Sequence, residues 1–127
     1  LLNELGISQQ VLQFNLDDDS LAYFYQNALA FIFPSLYEGF GIPVLESFAC
    51  GCPLLCSNVS SLPEVAGNAA CYFDPYSEES IRDAVVKLLD DSNFREELID
   101  KGYEQLKKFS WKQTSEETKK IYESVLI

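Results

Sequence analysis

The chain has 127 residues, 47% hydrophobic and 23% charged, with 9 Lys or Arg against 20 Asp or Glu and a net charge of −11. That length suits one domain with a real core, and the acidic balance argues against nucleic acid and anionic membrane surfaces as partners. The longest uninterrupted apolar run, Ala28 to Phe33, is far too short to span a bilayer, so no transmembrane segment is expected.

The charge is unevenly spread. Residues 1–81 hold ten Asp or Glu and no Lys or Arg, the first basic residue being Arg82. An anionic ligand such as a phosphate is usually held by Arg or Lys forks or by a metal, and this half offers only backbone amides. Cys50, Cys52, Cys56 and Cys71 lack the paired spacing of a zinc site, and the chain has no His. They read as free buried thiols of a cytosolic protein. The absence of Met points to a piece of a longer protein or to processing, and no basic n-region or cleavage site marks a signal peptide.

In chain order, Leu1 to Gly6 reads as the tail of a helix and Val11 to Leu16 as a strand. Asp17-Asp18-Asp19 fits a solvated helix start better than a metal cluster. Ser20 to Asn27 predicts a short helix with Leu21, Phe24, Tyr25 and Ala28 on one face. Ala28 to Phe33 is rich enough in aromatic and β-branched residues to predict a buried strand.

Next comes the most informative stretch, Pro34-Ser35-Leu36-Tyr37-Glu38-Gly39-Phe40-Gly41-Ile42-Pro43-Val44-Leu45-Glu46. Pro43 near a first turn and Gly51 past the end predict a helix from Ile42 to Cys50. A strand, a loop with two glycines and a helix N-terminus expose unpaired N–H groups to phosphate or sugar oxygens. Glu38 sits at the lip of that loop and Glu46 on the first helical turn. Each carboxylate can accept from two hydroxyls, which suits a hydroxyl-rich ligand. Spacing alone equally allows Glu46 to cap its own helix and Glu38 to be a solvated loop residue.

Pro53 to Asn58 predicts a second buried strand, whose polar end would point into a ligand crevice. Pro63-Glu64 opens a short helix closed by Gly67, with Glu64 as its local cap. Ala70 to Asp74 predicts the last strand. Ser77 then caps a helix with Ile81, Ala84, Val85, Leu88 and Leu89 at helical spacing. Phe94, Leu98 and Leu106 mark a second helix, with Gly102 an awkward residue in its middle. Ser110-Trp111-Lys112-Gln113 is a capping-box pattern before a third, carrying Ile121, Val125 and Leu126. Strands alternating with helices predict an α/β fold, a parallel Rossmann-like sheet flanked by helices. A nicotinamide dehydrogenase is disfavoured, because no G-x-G-x-x-G follows a strand.

The Pro34–Glu46 stretch, followed by Ala49-Cys50-Gly51-Cys52-Pro53, Ser61-Leu62-Pro63-Glu64-Val65 and Phe109-Ser110-Trp111, resembles the donor-binding domain of retaining GT-B glycosyltransferases of the family 4 type. The resemblance covers nearly the whole chain. It implies that residues 1–127 are part of the C-terminal, nucleotide-sugar-binding domain of a GT-B enzyme, truncated at its N-terminal side. It also implies transfer of a hexosyl unit from a nucleoside diphosphate sugar to an acceptor hydroxyl, with no metal required and no cofactor beyond the donor. Glu38 would be the catalytic residue at the donor sugar, and Gly39, Phe40, Gly41 and Ile42 would bind sugar and phosphate oxygens. Glu46 would hold the nucleotide ribose, and Asn15 and Leu16 would stand at the base. Relatives carry a glycine near Phe14 or Asn15, and Gly-Gly where this chain has Ser60-Ser61. The relatives' Arg/Lys pair, first two strands and acceptor domain would lie upstream, so this chain alone is expected to be inactive. The alternative is a non-catalytic interaction module derived from such a domain. The expected location is cytoplasmic, with a peripheral membrane association of the full-length protein left open. Self-association is expected through an exposed sheet edge at Val11 to Leu16.

Overall fold

A computed structural model describes residues 1–126. Helix α1 (Asp18–Asn27) leads into strand β1 (Phe31–Phe33), helix α2 (Ile42–Ala49), strand β2 (Leu54–Ser57), helix α3 (Leu62–Ala66) and strand β3 (Ala70–Phe73). Three helices follow, α4 (Glu78–Asp90), α5 (Ser92–Leu106) and α6 (Trp111–Val125). The sheet order is β1-β2-β3 and both pairings are parallel, Ile32 lying beside Leu55 and Leu55 beside Cys71.

The central strand explains the layering. All four residues of β2 are buried, as a strand covered on both faces requires. Because side chains alternate across a strand, Leu54 and Cys56 join Val44, Phe48, Leu62 and Val65 in one cluster. Leu55 joins Phe73, Ala84, Leu88 and Leu98 in the other. Burial pushes the Cys52 thiol up to about 11 and the Cys56 thiol to about 12, and all four cysteines are free.

Gly102 has a packing reason to stand inside α5. A Cβ there would come 2.8 Å from Cδ1 of Phe48, so the glycine is the notch into which α2 presses its largest core side chain. Buried Gln105 ties α5 to α3, its Nε2 donating to the Val65 carbonyl at 2.9 Å while Lys108 Nζ donates to its Oε1.

Three expected elements change. Val11 to Leu16 is irregular rather than a strand, with Leu12 and Phe14 exposed and the Phe14 ring against Phe24 of α1. A strand needs a partner for its backbone groups, and nothing in the described residues pairs with this segment. The edge expected there for self-association is therefore absent, and the sheet's outer strands are β1 and β3. The strand expected over 28–33 shortens to Phe31–Phe33 and is only half-buried, Ile32 being 42% exposed. Leu1 to Gly6 forms turns rather than a helix.

The other boundaries fall close to expectation. Asp17 accepts from the Ser20 amide to cap α1, and Ser77 accepts from Ser80 to cap α4. Ser110 caps α6 through the Gln113 amide, but the Gln113 side chain runs forward to Glu117, so the reciprocal half of the box is not made. Helix α6 buries none of its described residues; Ile121, Val125 and Leu126 are all exposed.

Candidate functional site: the loop between the first strand and the second helix

In a parallel sheet the loops that leave neighbouring strands emerge at the same end, where open α/β sheets bind ligands. Here those loops are residues 34–41 after β1 and residues 58–61 after β2. They are tied together. Ser60 Oγ accepts from the Glu38 amide at 3.2 Å and donates to the Glu38 carbonyl at 2.8 Å. Ser61 Oγ lies 3.0 Å from the Glu38 carbonyl and 2.9 Å from that of Phe40. Within its own loop, Ser35 donates to Glu38 Oε1 at 2.8 Å and so orients the carboxylate.

After Glu38 the chain runs into α2 with its amides free. Among the described residues, no intramolecular acceptor faces the N–H groups of Gly39, Phe40, Gly41 or Ile42. Gly41 is the N-cap of α2 at φ 102°, supplies no side-chain cap, and is followed by Ile42 and Pro43. A row of unpaired donors at a helix N-terminus is an anion- and oxygen-binding surface. A Cβ at Gly39 would meet nothing within 4 Å, so that face of the loop is open.

Gly41 has no such room, since a Cβ would lie 2.9 Å from Leu62 Cδ2. Replacing Gly41 by Ala therefore meets both a clash and a left-handed backbone. The expected result is a loss of about 1–2 kcal/mol in stability, read from chemical unfolding. Weakened ligand binding should accompany it, because the amides would turn.

Glu46 is the fifth residue of α2, past the first turn, and does not cap its own helix. It instead accepts from the Tyr25 hydroxyl at 3.4 Å, across from α1. Burial first, and then the negative charge of Glu46, push the Tyr25 phenol well up, so it stays protonated and remains a donor. Glu46 also forms part of the rim of an apolar groove of about 430 Å³, with Phe40, Ile42, Phe109 and Trp111 among its walls. The Phe40 ring stands edge-on to Phe109 at 5.8 Å.

The structure thus joins Phe40, Ile42 and Glu46 in one groove. Glu38 stays outside that lining, on the adjoining part of the same loop. Asn15 is exposed and Leu16 half-buried in the irregular segment before α1, not at a strand end. Sequence reasoning missed Tyr25, which appeared only as one member of an apolar helix face, and Ser35, while Ser60 and Ser61 were noted only as a departure from the relatives' Gly-Gly and not for their hydroxyls.

A loop and helix N-terminus with unpaired amides, at the carboxyl ends of parallel strands, offer donors of the kind that hydroxyl and phosphate oxygens accept. The chain belongs to the group 1 glycosyl transferases, the family description matching residues 1–105. It is 43% identical over 105 residues to the O-antigen chain mannosyltransferase B of Escherichia coli, covering 83% of this chain and 28% of that protein. It is 42% identical over 117 residues to the serotype-specific mannosyltransferase WbdA of Escherichia coli, covering 91% of this chain and 14% of that one. The chain thus spans less than a third of the length of these relatives. Its fold matches sucrose-phosphate synthase from Thermosynechococcus elongatus with a TM-score of 0.87 at 24% identity, over 98% of this chain and 32% of that one. This is the fold of GT-B C-terminal domains. No helix among the described residues is long and apolar enough to cross a membrane.

Proposed function

We propose that this chain is the donor-binding part of a retaining glycosyltransferase, which moves a hexosyl unit from a nucleoside diphosphate sugar to an acceptor hydroxyl. The relatives' names favour mannose as that unit. One observation carries the reading: four amides without intramolecular acceptors, from Gly39 to Ile42, follow the Glu38 carboxylate at the carboxyl end of β1 and lead into α2, which carries Glu46. In transfer, the bond from the anomeric carbon to the diphosphate breaks, a bond to the acceptor oxygen forms on the same face of the sugar, and the acceptor's hydroxyl proton passes to the departing phosphate oxygen. Charge then moves onto the departing phosphate, where the amides and the α2 dipole stabilise it. The sugar gains oxocarbenium character, which the Glu38 carboxylate offsets. Glu46, held by Tyr25, accepts from the ribose hydroxyls, and Asn15 and Leu16 stand toward the base. Positioning supplies much of the remainder.

The diphosphate needs cations that residues 1–81 do not contain, and acceptor choice needs a second domain. No turnover is expected from this chain by itself. The same lack of cations favours the rival reading, an interaction module without catalysis.

Calorimetric titration of the full-length protein with GDP, UDP, ADP and GDP-mannose separates the two. Micromolar-range binding of one nucleoside diphosphate, weakened about tenfold or more by Glu46→Ala, supports the donor site. No binding of any of them supports the module.

A further inference from the structure

Resting on the donor-site reading above, we infer that Ser60 and Ser61 are positioning residues for Glu38 and for the amides that follow it. Their hydroxyls form a latch between the loops after β1 and β2, and the latch sets where the carboxylate and the N–H row stand relative to the sugar.

Three independent observations converge on this pair. Ser60 grips both backbone polar groups of Glu38, accepting from its N–H and donating to its carbonyl. A residue held at both ends in this way cannot rotate its peptide planes without breaking a bond. Second, Ser60 is the one non-glycine residue with a positive φ among the described residues, at 59°. An L-residue in that region is strained, and such strain persists where surrounding contacts over-determine it, often at a functional site. Third, Ser61 is the N-cap of α3, where a serine hydroxyl ordinarily accepts from its own helix. It makes no such bond. Its oxygen faces the Phe40 and Glu38 carbonyls instead. A hydroxyl has one proton to give, and with Ser60 already donating to Glu38, the Phe40 carbonyl is the natural acceptor for Ser61.

Both serines therefore forgo a locally better arrangement in order to hold the other loop. Core stability does not require it: Ser60 is exposed, and water could satisfy the Glu38 peptide groups. The hydroxyls, standing where relatives carry Gly-Gly, instead fix a loop whose catalytic groups work within about half an ångström of one position. Below the latch, a Cβ at Gly41 would lie 2.9 Å from Leu62 Cδ2, so the loop after β1 runs close to the start of α3 there.

The test uses the full-length protein with Ser60→Gly, Ser61→Ala and Ser61→Thr, with Glu38→Gln as the reference. Ser60→Gly removes the hydroxyl and relieves the positive φ together, so a purely structural serine would leave the melting temperature and kcat both unchanged or higher. The latch predicts a melting temperature unchanged or raised, kcat lowered about tenfold or more, and exchange of the Glu38 amide, which donates to Ser60, at least tenfold faster in the ligand-free protein. Ser61→Ala should act in the same direction, and Ser61→Thr, which keeps a hydroxyl at an ordinary φ, should restore both readouts. Exchange of the Glu38 amide unchanged in both Ser60→Gly and Ser61→Ala overturns the latch, whatever the activity. Full kcat in both, with Glu38→Gln impaired, overturns it while leaving the donor site standing. Normal transfer by Glu38→Gln removes the donor-site role of Glu38, and with it the purpose assigned to the latch.

Discussion

Glu38→Gln in the full-length protein is expected to lower kcat for glycosyl transfer about 100-fold or more, with the melting temperature unchanged. The magnitude is that of losing one preorganised electrostatic group aimed at developing charge. Gln is nearly isosteric, and its carbonyl oxygen can still accept from Ser35, as Oε1 of Glu38 does at 2.8 Å. Both backbone bonds to Ser60 also persist, since they involve only the peptide groups of residue 38. The variant therefore removes charge and little else. A donor KM that stays within a few-fold while kcat falls would place the loss in the transition state rather than in ground-state binding. Transfer within a few-fold of the parent protein would take Glu38 out of the chemistry.

The largest expected change in stability is at Phe48. Phe48→Ala should cost about 3–5 kcal/mol, read from urea unfolding, because the ring is 2% exposed and fills the space between α2 and the notch at Gly102. Filling the notch is a related test with two opposed terms. Gly102→Ala in α5 gains up to about 1 kcal/mol of helix propensity. It also drives a Cβ to 2.8 Å from Phe48 Cδ1. Overpacking of that kind costs about 1–3 kcal/mol, so the clash should win and the variant should be less stable. Combining Gly102→Ala with Phe48→Leu should restore part of that loss, since the smaller side chain vacates the contact. Additive losses would mean that the two positions do not share the space the structure gives them.

Elements whose signals lie within a few residues were readable in advance. Pro43 and Gly51 bracket α2, Ser77 opens α4, and the apolar run at Leu54–Ser57 is the buried central strand. The Glu38-to-Glu46 stretch and its neighbours carried the family resemblance, and the family match over residues 1–105 bears that resemblance out. Where partners lie far apart in the chain, reading failed. Val11 to Leu16 has the composition of a strand, yet no described residue supplies the neighbour that would make it one. Gly102 looked like a weakness in a helix until the Phe48 ring was found against it.

The chain order of strands and helices, the parallel layer and the glycine-bearing loop are decided by local periodicity and by capping and turn residues, which act over one or two turns of backbone. Only the tertiary structure decided that Tyr25 reaches Glu46 from 21 residues away, and that Ser60 and Ser61 hold Glu38 from 22 and 23 residues away. A hydroxyl carries no preference for one distant carbonyl over another. Its partner is chosen when adjacent parallel strands bring their loops to the same end of the sheet.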